Sequence, residues 1–197
     1  MADLRVFPWI EETLRLNSEG EWESNGVVIE HERTQEAFHR GLRGPDATGR
    51  FWVVLGTGAL REEKVALIAS TPAVIETIQV KGLQFFARIR GRHEPEIIDW
   101  GSLRYEDPHF TIEISGRPLE KSDSTAWRAR LLRTAHYQLL SHLDFQGTQV
   151  ILRATQEFSR GMGLLVGASP EVWVDLTEAC GIHYDSETQT LIQKGRP

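Results

Sequence analysis

Residues Leu16–Leu42 read LNSEGEWESNGVVIEHERTQEAFHRGL, and the change of period within this stretch sets the fold class. Ser18-Glu19-Gly20 makes one turn and Asn25-Gly26 a second, with extended Glu21-Trp22-Glu23 between them. Asn-Gly is a strong hairpin signal because both residues tolerate positive φ. Val27-Val28-Ile29 then resumes with β-branched side chains. From Glu32 to Leu42 the pattern becomes helical: Ala37, Phe38 and Leu42 supply one apolar side, and Gly41 or Gly44 ends the helix. Strands in runs followed by a helix indicate α+β rather than alternating α/β.

Further strands are expected at Thr13–Leu16, Phe51–Leu55, Lys64–Ala69, Val74–Val80 and Leu83–Arg90, the last four forming one antiparallel meander. His109–Ser115 alternates as a strand, and Gly116-Arg117-Pro118 turns it. The longest helical pattern runs from Thr125 to Leu143, with Trp127, Leu131, Ala135 and Leu139 at i+4 and an N-cap at Ser122–Ser124. Gln149–Leu152, Glu171–Asp175 and Thr190–Gln193 read as strands, with a helical turn at Leu176–Cys180. Strand-rich segments accompanied by a helix occur twice. The expectation is two small, similar α+β subdomains with antiparallel sheets, residues 1–92 and 93–160, and a C-terminal extension, 161–197, packed on the second.

The chain of 197 residues, 40% hydrophobic and 25% charged, has the composition of a globular protein. A net charge of −6 argues against general nucleic-acid binding, which needs basic surface. The single cysteine, Cys180, excludes an intrachain disulfide and four-cysteine zinc motifs. No signal peptide and no run of eighteen apolar residues occur, so the expected location is the cytoplasm, without membrane association.

Gly20-x-Trp22, Gly26 and Ile29 resemble the G-x-W-x-x-x-G-x-x-I signature that opens the DUF1285 family of bacterial proteins. Phe38 and Leu42 fit the end of the helix that follows, Gly49–Val54 the glycine-aromatic strand, and Trp127–Tyr137 the L-x-A-x-L-x-R helix with its downstream tyrosine. The resemblance spans about Leu14 to Arg160. It implies an α+β fold of two related halves, no established enzyme activity, and a role in signalling or ligand sensing. Ile68-Ala69-Ser70-Thr71-Pro72 lacks the acidic pair that the family places there, so a role resting on those carboxylates does not carry over.

Few residues suggest chemistry. Trp22, between two turns, is either an aromatic ligand platform or a hairpin tryptophan covering the core. Arg130 and Arg133, at i+3 on the expected helix, form a candidate oxyanion or ligand pair, against which stands their use in internal salt bridges. His93, Glu96 and Asp99 are the densest group of metal-ligand types, but Pro95 interrupts them and the polar-loop reading is favoured. Gly44–Arg50 lacks the Gly-Lys-Ser/Thr ending of a P-loop, and Gly161–Gly167 misses the dinucleotide spacing. No cofactor is implied.

These features favour a non-enzymatic regulatory or ligand-sensing protein, with a small-molecule ligand or a protein partner unidentified. The rival is an enzyme, a hydrolase with a metal-dependent site gathered from distant residues. A third reading is a structural module that forms a homodimer, with Phe7, Trp9 and Ile10 as its surface.

Overall fold

The computed structural model describes residues 13–81, 84–119, 125–155 and 171–194. Phe7, Trp9, Ile10, the Ser122–Ser124 cap and the Gly161–Gly167 run lie outside them. Contacts divide the chain into two compact units. Unit 1 takes residues 1–72 with 116–125; unit 2 takes 73–115 with 126–197.

Unit 1 is built on a six-stranded sheet: β1 (Leu14–Leu16), β2 (Trp22–Ser24), β3 (Val27–Val28), β4 (Leu42–Arg43), β5 (Phe51–Leu55) and β6 (Glu62–Ile68). Asn25 and Gly26 join β2 to β3 with φ of 51° and 78°, the positive pair a two-residue hairpin turn requires. The spatial order is β3-β2-β1-β6-β5-β4; every pairing is antiparallel except β1 with β6. Helix α1 (Glu32–Gly41) starts at His31, whose Nδ1 accepts from Thr34 N, and contacts β5. Leu14, Leu16, Trp22, Phe38, Leu42 and Val53 are buried as the core.

Unit 2 repeats this strand plan. Its sheet comprises β7 (Ala73–Lys81), β8 (Gln84–Ile89), β9 (Glu96–Ile97), β10 (Arg104–Glu106), β11 (His109–Ser115) and β12 (Ala126–Leu131). Their order is β10-β11-β12-β7-β8-β9, again with the first and sixth strands parallel at the centre. In both sheets two three-stranded meanders join through one parallel pair. The expectation of two similar α+β units with largely antiparallel sheets therefore holds. Helix α2 (Arg133–Leu140) contacts β7, and Gln138 Oε1 accepts from Ile78 N at 2.7 Å.

The C-terminal residues extend unit 2. Strands β13 (Leu143–Gln146), β14 (Gln149–Thr155) and β15 (Glu171–Asp175) form an antiparallel sheet. Helix α3 (Leu176–Cys180) is capped by Asp175 Oδ1, which accepts from Thr177 N and Glu178 N. The hairpin β16 (Ile182–Asp185) with β17 (Thr190–Gln193) follows, and Tyr105 N donates to Gln193 Oε1 at 2.8 Å.

Three expectations need correction. The segment Phe51–Arg90 is not one meander: β5 and β6 belong to one sheet, β7 and β8 to the other, and Ala69–Pro72 separates them. No sheet boundary falls at residue 92 either, because β8 and β9 pair across it. Thr125–Leu143 is not one helix but β12 followed by α2. Trp127 and Leu131 recur at i+4, but with Ala129 they also alternate, and all three are buried. β12 lies between β11 and β7, so its neighbours cover it on both edges and Arg130 is buried as well. The alternation Trp127-Arg128-Ala129-Arg130-Leu131 is that of a strand, and the i+4 spacing of Trp127 and Leu131 that runs on into α2 masks it.

Candidate functional site

The end of α1 leaves backbone carbonyls without helical partners, a position that attracts cations. Here it attracts two. Arg43 Nη1 donates to Arg40 O at 2.6 Å and to Leu42 O at 2.8 Å. Arg117 Nη1 donates to the same Arg40 O at 2.8 Å and to His39 O at 3.2 Å. Gly44 N donates to Arg117 O at 2.9 Å, which lays the 116–118 turn along edge strand β4. Two guanidinium groups thus share one carbonyl oxygen, although their charges repel.

Arg61 is a third nearby cation, and Arg43 feels its charge. Burial, then repulsion from Arg61, pulls the Arg43 pKa below its usual value. Burial, then Arg43, does the same to Arg117. Arg61 is ion-paired with Glu63, and Arg40 with Glu36 at 3.8 Å. Arg43 is half-buried and pairs with no carboxylate among the described residues. Only its Nη1 is engaged there, which leaves Nε and Nη2 of the fork for an incoming group.

Beside this cluster lies an ordered loop. Asp46 Oδ1 accepts from Thr48 N, Thr48 Oγ1 and Arg50 N, and Oδ2 accepts from Trp52 Nε1 at 2.9 Å. The bonds from Thr48, Arg50 and Trp52 hold the Asp46 carboxyl far below the usual carboxylate range. Arg43 and Trp52 are register partners across β4 and β5, so their side chains leave the same sheet face as neighbours.

The residues singled out from sequence lie elsewhere. Trp22 is 0% exposed in the unit 1 core, its ring 5.7 Å from both Phe38 and His39. Its backbone N–H donates to Gln35 Oε1 at 2.8 Å, and Gln35 Nε2 donates to Ile29 O, so one glutamine ties the hairpin to α1. The ring is a core element. Arg130 and Arg133 do not share a helix face: Arg130 is 4% exposed on β12, while Arg133 opens α2 exposed, 5.7 Å over the Tyr137 ring. Arg130 Nη1 donates to His109 Nε2 at 3.3 Å. Glu96 is ion-paired with Arg92 and accepts from Ser115 N, and Asp99 Oδ1 accepts from Gly101 N. Among the described residues no three His, Cys, Asp or Glu side chains gather as a metal-holding group, so His93, Glu96 and Asp99 are not brought together as one.

His136 packs 5.2 Å from the buried Phe110 ring. Burial, with His109 as the second cause, lowers its pKa from the usual 6.5. The unfolded chain therefore binds this proton more tightly than the folded one. The stabilising contribution is complete above pH 6.5 and is lost as pH falls through that value toward the folded pKa. Urea midpoints measured at pH 7.5 and 5.5 are expected to drop for the wild type and to drop less for His136→Gln.

Arg43, Arg61 and Arg117 were not apparent from sequence. The basic run His39-Arg40-Gly41-Leu42-Arg43 at a helix end was the available signal. Arg117 stands far along the chain in a turn, and only folding places it there.

No family model matches the chain, and no curated protein matches it in sequence. Two solved structures are similar to it. One is a DUF1285 family protein from Silicibacter pomeroyi DSS-3, at 13% identity and a TM-score of 0.45, covering 71% of this chain and 73% of that one. The other is a DUF1285 family protein from Shewanella baltica OS155, at 13% identity and a TM-score of 0.44, covering 66% of this chain and 91% of that one. Both bear the family name that the glycine and aromatic motifs resemble. Among the described residues no helix is long and apolar enough to cross a membrane.

Proposed function

We propose that this is a non-enzymatic regulatory protein of the bacterial cytoplasm that senses a small ligand bearing an oxyanion, and that Arg43, Arg117 and Arg61 of unit 1 receive it. The observation that carries this reading is Arg43: a half-buried cation, without a carboxylate partner among the described residues, held against a second guanidinium on a shared carbonyl. Two guanidinium groups this close repel one another, and their burial strengthens the repulsion. A phosphate or carboxylate relieves the repulsion and takes the open N–H groups of the Arg43 fork. The carbonyls of Arg40 and Leu42 hold the guanidinium in place beforehand, which lowers the ordering cost of binding.

Thermal unfolding in inorganic phosphate, against chloride at matched ionic strength, tests this. A ligand at a hundred times its Kd stabilises the folded state by about 2.7 kcal/mol. That corresponds to roughly 5–10 °C for a chain of this size. Phosphate also stabilises proteins generally by exclusion from their surface, and that part persists in any variant. The expected result is a phosphate shift that is larger in the wild type than in Arg43→Gln. Equal shifts in the two proteins contradict the proposal.

A further inference from the structure

An oxyanion held at Arg43 lies beside the sheet face that carries Trp52. We infer that the oxyanion belongs to a ligand that also carries a planar ring, as a mononucleotide does, and that Trp52 is the platform on which the ring stacks. This inference rests on the oxyanion site.

Strand register sets the order of groups across the face. The 116–118 turn lies outermost, against Gly44 at the end of β4. Arg43 follows on β4, then its partner Trp52 on β5, then Val65, the partner of Trp52 on β6. Val54, two residues along β5, shares the face. The strip thus runs from the Arg43 guanidinium at the sheet edge to an indole and then to aliphatic side chains, beside which Glu63, the partner of Val54, is ion-paired with Arg61. A ligand with an anionic end and a flat apolar end matches that gradient, and inorganic phosphate alone uses only its outer half.

Trp52 is suited to the role for two further reasons. Its Nε1 is pinned to Asp46 Oδ2, and Asp46 is itself fixed by three donors from Thr48 and Arg50. The indole is therefore held by one edge before any ligand arrives. It is also half-buried, and among the described residues no other aromatic ring or guanidinium stacks on it. In unit 2 the comparable pairs are already closed, with Arg92 5.8 Å over Trp127 and Arg133 5.7 Å over Tyr137. Trp52 and Arg43 are neighbours that leave each other free.

Stacking a base on an aromatic side chain contributes about 1–3 kcal/mol, roughly five-fold to over a hundred-fold in affinity, and accepts any base. Isothermal titration with AMP, UMP, ribose 5-phosphate and inorganic phosphate at one ionic strength tests the inference. AMP and UMP are expected to bind at least five-fold more tightly than ribose 5-phosphate, which binds like phosphate. Trp52→Leu is expected to bring AMP down to the ribose 5-phosphate level while phosphate binding stays. Trp52→Phe keeps a ring and is expected to retain a preference for AMP, which separates stacking from damage to the fold. If AMP and ribose 5-phosphate bind alike while phosphate still binds through Arg43, the ring inference is overturned and the oxyanion site stands. If none of the four binds, both are overturned.

Discussion

Trp22→Ala is expected to lower the stability of unit 1 by about 3–5 kcal/mol, the range for truncating a buried aromatic side chain. Trp22 is 0% exposed, and its ring meets Phe38 and His39 of α1 edge-on. The hairpin and α1 therefore press on one another through this side chain. Its Nε1 has no hydrogen-bond acceptor among the described residues. Trp22→Phe, which keeps a ring and deletes that N–H, is consequently expected to cost much less than Trp22→Ala. Equilibrium urea denaturation followed by circular dichroism measures both. Near-equal losses for Ala and Phe would mean that a specific indole contact, rather than core volume, holds this region. The variant has a functional counterpart as well. The α1 end that offers Arg40 O to Arg43 and Arg117 depends on the seating of α1, so Trp22→Ala is expected to weaken anion binding without touching an anion ligand.

Phe110→Ala is expected to cost unit 2 a similar amount, about 3–5 kcal/mol. Phe110 is 0% exposed on β11, with Tyr105 at 5.1 Å and His136 at 5.2 Å. Its removal also readmits water to His136. The burial that lowers that imidazole's pKa is then relieved, and the fall in stability below pH 6.5 is expected to shrink. Urea midpoints at pH 7.5 and 5.5 read both effects from one variant. A large loss of stability with an unchanged pH slope would show that something other than the Phe110 ring shields His136.

The parts of this fold that local chemistry dictates were legible in the sequence. Asn25-Gly26 specified its hairpin because few other residues accept two consecutive positive φ angles. Glu32–Gly41 was readable as a helix because one face is exposed and the other holds Phe38. The segment from Ala126 to Leu140 misled because it carries two periods at once. Trp127-Arg128-Ala129-Arg130-Leu131 alternates as a strand, but Trp127 and Leu131 also fall by coincidence on the helical period that α2 continues. The pairing of β1 with β6 and of β7 with β12 joins residues some fifty positions apart, which no local pattern announces.

The candidate site was less legible for the same reason. Trp22 attracted attention by its place between turns, but a large apolar side chain in a hairpin is drawn first to the core. Arg130 and Arg133 looked like neighbours only on the assumption of a continuous helix. Arg43 and Arg117 meet on a carbonyl because the 116–118 turn hydrogen-bonds beside β4, a contact between residues over seventy positions apart. What sequence did hold was a basic helix end, which marks a cation near carbonyls without saying that a second cation would join it.

The central claim is that Arg43 receives an oxyanion, and isothermal titration of inorganic phosphate into the wild type and Arg43→Gln at low ionic strength tests it most directly. Each hydrogen bond to a charged group contributes about 1.5–3 kcal/mol, so removing the Arg43 charge is expected to weaken binding at least ten-fold. Arg61→Gln, whose side chain is already ion-paired with Glu63, is expected to weaken it less. Saturable phosphate binding in the wild type that falls ten-fold or more in Arg43→Gln is the predicted result; no saturable binding, or binding unchanged by the substitution, contradicts the account.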